Sequence, residues 1–248
     1  MSHFAESDRE GGKLAEDKRV YTVTETREET TGVVTLRMLS GNRKPFFIAG
    51  QCITVTFADT PVSEGKAYSI SSAPEEPTLA ITVKALGEFS RRLCALREGD
   101  SFVGSEPYGF FYTEEKSTPL VLLAIGIGVT PFRGILLHAL AENPKRDMLL
   151  CLGSRTVEDS VFKKEFDALA ARFPNVRIRY FLSREANLPE GVEKGRMTVP
   201  RVLPFVTQPK EAEYMLCGSA PFVRAMKEGL LTAGIQEERI YTEAFFTK

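Results

Sequence analysis

The stretch Leu120-Val121-Leu122-Leu123-Ala124-Ile125-Gly126-Ile127-Gly128-Val129-Thr130-Pro131 changes character twice. Leu120–Ile125 is a continuous apolar run, the pattern of a strand buried on both faces. Glycines then interrupt it, and a helical pattern follows over residues 131–141. Thr130 suits the N-cap of that helix and Pro131 its first turn. Glycines in such a turn let a ligand approach the backbone, and the helix start offers unpaired N–H groups to a phosphate. The spacing is not G-x-G-x-x-G, since Pro131 and Phe132 follow. A plain tight turn therefore stays open beside nucleotide binding.

Toward the C-terminus the same alternation continues. Apolar segments at 148–152, 176–182, 213–217 and 239–243 are interleaved with helical patterns at 158–172 and 221–233. Strand alternating with helix predicts a parallel sheet covered on both faces. Toward the N-terminus the periodicity differs. Short alternating segments at 20–24, 33–39, 52–57, 67–71 and 79–85 are separated by Gly32, Gly41, Asn42, Pro45, Gly50, Pro61, Gly65, Pro74 and Pro77. Many short strands with turn formers between them predict an antiparallel β-barrel. One short helix is expected near 89–96, where Phe89, Leu93 and Leu96 share a face. The chain divides near residues 113–118. We expect a polar leader at 1–18, a β-barrel domain at 19–115 and an α/β domain at 116–248.

Composition narrows the chemistry. The 248 residues are 43% hydrophobic and 26% charged with a net charge of -1, so no overall field draws the chain to nucleic acid or membrane. The longest apolar run is Leu120–Ile125, too short for a membrane span. The leader carries Glu6, Asp8, Arg9, Glu10, Glu16 and Asp17 and lacks the apolar core of a secretory signal. Cys52, Cys94, Cys151 and Cys217 form no C-x-x-C pair, which argues against an iron–sulfur cluster or structural zinc. Reduced thiols fit a cytoplasmic location. With only His3 and His138, hydrolytic triads and histidine metal sites are nearly excluded. Hydride transfer is not, because it needs two aligned redox rings more than a general base.

Two further stretches stand out. In Gly65-Lys66-Ala67-Tyr68-Ser69, Tyr68 is able to stack on a planar ring, Ser69 to donate to a ring nitrogen and Lys66 to neutralise a phosphate. By its own chemistry it reads first as an ordinary strand with an exposed lysine. In Gly87-Glu88-Phe89-Ser90-Arg91-Arg92, Ser90 lies at the start of the short helix, placed either to hold a pyrophosphate or simply to cap the helix.

Taken together and in this order, these segments resemble the ferredoxin–NADP reductase superfamily of flavoproteins. The resemblance runs from about residue 19 to the end. Its motifs are Lys66-Ala67-Tyr68-Ser69, Gly87-Glu88-Phe89-Ser90, Gly126-Ile127-Gly128-Val129-Thr130-Pro131, Cys217-Gly218 and Glu243-Ala244-Phe245. It implies FAD in the barrel, with Tyr68 and Ser69 against the isoalloxazine and Gly87, Phe89 and Ser90 on the pyrophosphate. Thr82, Val83 and Lys84 would run past the rest of the cofactor. Lys66 stands where the family carries arginine; it keeps the charge and loses the planar fork, which implies a looser flavin site.

The resemblance further implies NADP(H) at Gly126, Gly128, Thr130 and Pro131, with Cys217 and Gly218 beside the nicotinamide. Arg155, Arg184 and Arg196, with Ser154 and Ser183, lie at or near expected strand ends. Arginines there suit the 2′-phosphate dianion of NADPH, or else are ordinary surface charges. Glu243 either relays a proton, pairs with Ser69 or is a surface carboxylate. Phe245 either shields the flavin or closes the core. Cys217 is a small strand residue or a shaping thiol. Electrons would pass to a separate ferredoxin or flavodoxin, with Lys66, Arg91 and Arg92 as the basic surface for an acidic carrier. Three alternatives are an NADH-dependent reductase component of an oxygenase, a free-flavin reductase and an electron-transfer subunit.

Overall fold

The computed structural model describes residues 18–57 and 65–245. The leader up to residue 17, with His3, and the turn at Pro61 lie outside these residues. Lys18 and Arg19 already belong to the first strand.

The first lobe holds β1 (Lys18–Thr30), β2 (Val33–Ser40), β3 (Cys52–Thr56), β4 (Lys66–Ser69), β5 (Leu79–Lys84), helix α1 (Glu88–Cys94) and β6 (Ser101–Ser105). The six strands form one sheet in the order β4-β3-β6-β1-β2-β5, and every pairing in it is antiparallel. The sheet curls until its two edges approach. An isolated bridge joins Ile70 to Ile81, and the Ser71 N–H donates to the Ala80 carbonyl at 2.8 Å. The result is barrel-like without full ladder closure. Alternating residues fill its interior, among them Tyr21, Leu36, Met38, Ile53, Val55, Leu79 and Ile81, and α1 adds Phe89 and Leu93. Strand β6, Ser-Phe-Val-Gly-Ser, lacks a clear sequence signal because its serines and glycine read as turn. Gly104 is needed there: a Cβ would stand 2.9 Å from the Tyr21 ring.

The second lobe holds β7 (Leu120–Ile125), α2 (Thr130–Glu142), β8 (Met148–Ser154), α3 (Lys163–Arg172), β9 (Val176–Leu182), β10 (Val192–Lys194), α4 (Val199–Val202), β11 (Glu213–Ser219), α5 (Ala220–Thr232) and β12 (Ile240–Phe245). The order β10-β9-β8-β7-β11-β12 is parallel throughout. Burial of β7 explains its unbroken apolar run. Leu120, Leu122 and Ala124 face one core with α2 and α3, while Val121 and Leu123 face another with α4 and α5. Each fully buried leucine contributes roughly 1.5–3 kcal/mol.

Two boundaries differ from the sequence reading. Thr130 is not the N-cap: a 3₁₀ turn, Gly126–Val129, precedes α2, and Val129 takes the cap position without a side-chain hydrogen bond. The helical pattern at 158–172 forms helix only from Lys163. Asp159 accepts from the Thr156 N–H and hydroxyl, and Phe162 adopts a left-handed φ of 61°, so the first residues make a turn instead. Strand β10 and helix α4 have too few residues to show a period.

The lobes meet along α2. Gly134 lies against the Ser72 carbonyl, where a Cβ would stand at 2.5 Å. Beside it, the Arg133 guanidinium, 5% exposed, donates to the Ser71 carbonyl at 2.9 Å and to Glu76 at 2.8 and 3.1 Å. It also holds Glu165 of α3 at 2.8 Å. Burial alone would push the Glu76 carboxyl up, but hydrogen bonds and charge from Arg133, with the Ala73 N–H and Arg37, hold it at about 2.

Candidate active site

The crevice between the lobes is bordered by β4, one edge of the barrel-like sheet, and β12, one edge of the parallel sheet. Here the Ser69 hydroxyl donates to Glu243 Oε2 at 3.4 Å. Of the roles open to Glu243, pairing with Ser69 is the one formed in the structure. Burial drives its carboxyl up to about 7, with the Ser69 hydrogen bond opposing. Cys217 is its register partner on β11 and is fully buried. Burial, and after it the charge of Glu243, push that thiol well up, so it stays protonated. Phe245 pairs with Ser219 and packs, half-buried, against the core on the α2 face.

On the barrel side, β4 and α1 bring their motifs together. The Tyr68 and Phe89 rings lie nearly parallel, with centroids 6.4 Å apart and planes at 17°. The Lys66 ammonium stands 5.6 Å from the Phe89 centroid. Gly87 is the extended N-cap of α1. Ser90 Oγ accepts from the Leu86 and Gly87 N–H groups at 2.9 and 3.0 Å and donates to the Gly87 carbonyl at 3.1 Å. The capping role of Ser90 is thus present. Ala67 is exposed. Thr82 points inward, bonded to the hydroxyls of Thr35 and Ser71, and Val83 is core. Only Lys84 of that segment offers an exposed side chain.

On the other side, the carboxyl ends of β7, β8, β9 and β11 line up. Gly126 has φ +52° and opens the turn. Gly128 packs so closely on β11 that a Cβ would stand 2.5 Å from the Cys217 carbonyl. Gly218, at φ +153°, lies against Ile125, where a Cβ would meet the side chain at 2.6 Å. The glycine loop and the Cys217-Gly218 strand end are therefore one structure. Thr130 and Pro131 are buried behind it. At the end of β8, Ser154 Oγ is buried without a hydrogen-bond partner. The Ser183 N–H bonds the Ser154 carbonyl, and the Arg184 N–H bonds the Arg155 carbonyl. Arg155, Arg184 and Arg196 are exposed and form no ion pair among the described residues. Arg201 holds the Arg196 carbonyl at 2.8 Å and Glu193 at 3.1 Å, so it shapes the loop that carries Arg196.

These features fit the groups that the fold implies. An unpartnered buried hydroxyl, side-chain-free glycines and unpaired cations at strand ends suit a nucleotide. An aromatic face beside a cation and a serine hydroxyl suits a phosphorylated ring cofactor.

Residues 122–228 match the family described as the oxidoreductase NAD-binding domain. A flavohemoprotein of Bordetella pertussis is 31% identical over 261 aligned positions, covering 99% of this chain and 64% of that protein. The toluate 1,2-dioxygenase electron transfer component of Pseudomonas putida is 29% identical over 221 positions, covering 88% of this chain and 64% of that one. The fold overlays the flavohem-like FAD/NAD-binding domain of nitric oxide dioxygenase from Vibrio cholerae with a TM-score of 0.81. That overlay has 24% identity and covers 92% of this chain and 99% of that one.

The second lobe carries the oxidoreductase NAD-binding family domain, and the chain shares the two-lobe fold of the ferredoxin–NADP reductases. It spans 47% to 64% of the length of the flavohemoproteins it matches. The superfamily fold accounts for the two sheets and for the crevice between them. The Arg133–Glu76–Glu165 cluster, Gly134 and Arg201 carry no motif, and sequence reasoning missed them. An arginine inside the otherwise apolar start of α2 was the one available signal. Away from the crevice, an open cavity of about 540 Å³ lined by Phe110, Tyr112, Glu114, Glu115, Glu213 and Tyr241 sits at the amino ends of β11 and β12.

Proposed function

We propose that this chain is an NADPH-dependent flavoprotein reductase that delivers electrons to a separate acceptor protein, a ferredoxin or flavodoxin. The observation that supports this most is the meeting of Ser69 with Glu243, which sets the Lys66–Ser69 strand opposite the end of the parallel sheet. FAD, when bound, supplies what no side chain here has: it accepts a hydride and releases electrons one at a time.

The chain's own residues do the rest. Lys66 neutralises phosphate, Tyr68 and Ser69 flank the ring, and Gly87, Phe89 and Ser90 form the turn toward the pyrophosphate. Thr82 and Val83 contribute backbone, and Lys84 a charge. Gly126, Gly128, Thr130 and Pro131 form the cradle for the second nucleotide. Ser154, Arg155, Ser183, Arg184 and Arg196 take its 2′-phosphate, and the exposure of the three arginines without ion pairs supports NADPH over NADH. Cys217 and Gly218 leave room for a ring to lie flat, Glu243 holds a proton near neutral pH, and Phe245 closes the crevice. Lys66, Arg91 and Arg92 are all exposed along β4 and α1, a basic strip for an acidic carrier on a chain of net charge -1.

The Pseudomonas putida relative favours a second reading, in which the acceptor is an oxygenase component. Cytochrome c reduction by NADPH separates the two. Stimulation by added ferredoxin or flavodoxin supports the first reading. Tightly held FAD with no response to either carrier turns the assignment toward a dedicated oxygenase.

A further inference from the structure

Two kinds of contact join the lobes along α2. One is apolar. Ala49 and Phe111, from the barrel side, share a core with Phe132, Ile135 and Leu136, and the Phe111 and Phe132 ring centroids lie 5.8 Å apart. Apolar burial attracts without direction, so this patch holds the lobes together and leaves their angle open. The other contact is polar and directional. Arg133 Nη1 donates to Glu76 Oε2 at 2.8 Å and Nη2 to Glu76 Oε1 at 3.1 Å, a two-pronged grip across the lobe boundary. Nη1 also donates to the Ser71 carbonyl at 2.9 Å. On its own lobe the same group is steadied by Glu165 of α3, with Nε donating to Oε2 at 2.9 Å. The other polar contacts between the lobes are weaker. His138 pairs with Glu75 at 2.7 Å where water competes for both groups, and Ser69 reaches Glu243 by a single bond at 3.4 Å.

The place of Arg133 in the chain gives this grip its meaning. Ser71 follows Ser69 by two residues, and Arg133 follows Thr130 by three, in the first turn of the helix that the glycine loop opens. The guanidinium thus ties the strand assigned to the flavin ring directly to the turn assigned to the nicotinamide nucleotide. We propose that Arg133 is a positioning residue, whose grip on Glu76 and Ser71 sets the angle between the lobes and with it the separation of the two rings. The proposal rests on the reductase reading. Arg133 touches neither ring site and acts through Ser71 and α2. Transfer between aligned rings is steep in distance: a displacement of about 1 Å can cost on the order of a hundredfold in rate. Lysine could not replace it, because a single ammonium lacks the planar fork that fixes an angle.

A matched pair of variants tests this. Glu76→Ala removes the partner across the boundary, and Glu165→Ala removes only the partner within the lobe. Lobe geometry is read by pulsed electron spin resonance between labels at Thr26→Cys in β1 and Ala168→Cys in α3, both exposed positions. Cys52→Ser and Cys94→Ser clear that background, while Cys151 and Cys217 are buried. The distance distribution should widen in Glu76→Ala and keep its wild-type width in Glu165→Ala, with or without FAD. In rapid mixing of the FAD-loaded protein with saturating NADPH, Glu76→Ala and Arg133→Lys should bleach the flavin about tenfold or more slowly, with the NADPH Kd unchanged. Glu165→Ala should match wild type in rate and Kd. Equal widths in wild type and both glutamate variants would overturn the proposal, whatever the chain's function. Equal slowing by Glu165→Ala would reduce Arg133 to a matter of stability, and widening without slowing would break the link to transfer. A wild type that NADPH does not bleach, beside a widened Glu76→Ala, would instead overturn the reductase reading and the transfer role with it.

Discussion

The hydroxyl of Ser69 donates to the carboxylate of Glu243 at 3.4 Å, and this contact joins the edge strand of one sheet to the edge strand of the other. The two residues are 174 positions apart in the chain. Neither lobe alone contains the crevice chemistry, and the carboxyl is perturbed because folding brings it there.

That perturbation has a direction. The Glu243 carboxyl rises from 4.5 to about 7 through burial. Between these values the folded state holds a proton that the unfolded state has lost, so stability falls as pH rises from about 4.5 to 7 and stays lower above. Replacement of Glu243 by glutamine removes the effect. E243Q should be more stable than wild type at pH 8, by on the order of 1–3 kcal/mol, and equal to it at pH 4. Urea unfolding at the two pH values measures this. Equal stability at pH 8 would place the titration elsewhere.

Arg133 acts in the opposite sense. Its buried guanidinium serves Glu76, Glu165 and the Ser71 carbonyl at once. Arg133→Met should cost about 3–5 kcal/mol, because carboxylates are left half-buried without their cation. The Glu76 carboxyl is held at about 2 against an ordinary 4.5. Its contribution is therefore complete above pH 4.5 and is lost as pH falls toward 2. Acid unfolding of wild type should steepen in that window, and the steepening should be absent in Glu76→Gln.

Gly128 has no room for a side chain. A Cβ would stand 2.5 Å from the Cys217 carbonyl, which is backbone and cannot swing aside. Gly128→Ala should push the 3₁₀ turn off β11, cost roughly 1–3 kcal/mol and weaken nucleotide binding, with FAD retention unchanged. Calorimetric titration with NADP⁺ reads the binding loss.

The three strand-end arginines make a specificity prediction. Arg184→Ala combined with Arg196→Ala should raise the KM for NADPH tenfold or more, roughly the loss of charge-assisted phosphate contacts, and leave the KM for NADH nearly unchanged. Equal changes in both would make these arginines ordinary surface charges. Arg201→Ala, which frees the Arg196 carbonyl, should give a smaller effect in the same direction.

Much of this was legible before folding. The unbroken run Leu120–Ile125 announced a strand with a core on each face, and the switch from short alternation to strand–helix alternation gave both sheets. The glycine loop and Cys217-Gly218 were read as separate motifs, and they prove to touch because parallel pairing sets β11 beside β7. What stayed hidden depends on tertiary contact. Thr130 looked like a cap because its type favours one, but Gly126 at positive φ starts a 3₁₀ turn that carries the chain into the helix first. Arg133 and Glu76 have no period or motif, and their meaning appears only when α2 meets the barrel. The pairing of Cys52 with Tyr108 is a bridge that no local pattern encodes.

The most direct test of the central claim is an anaerobic absorbance titration of the FAD-loaded protein with NADPH and, in parallel, with NADH. The account predicts that NADPH bleaches the flavin rapidly, at much lower concentration than NADH. Flavin that stays oxidised in both titrations would contradict it, leaving the fold in place and removing the reductase.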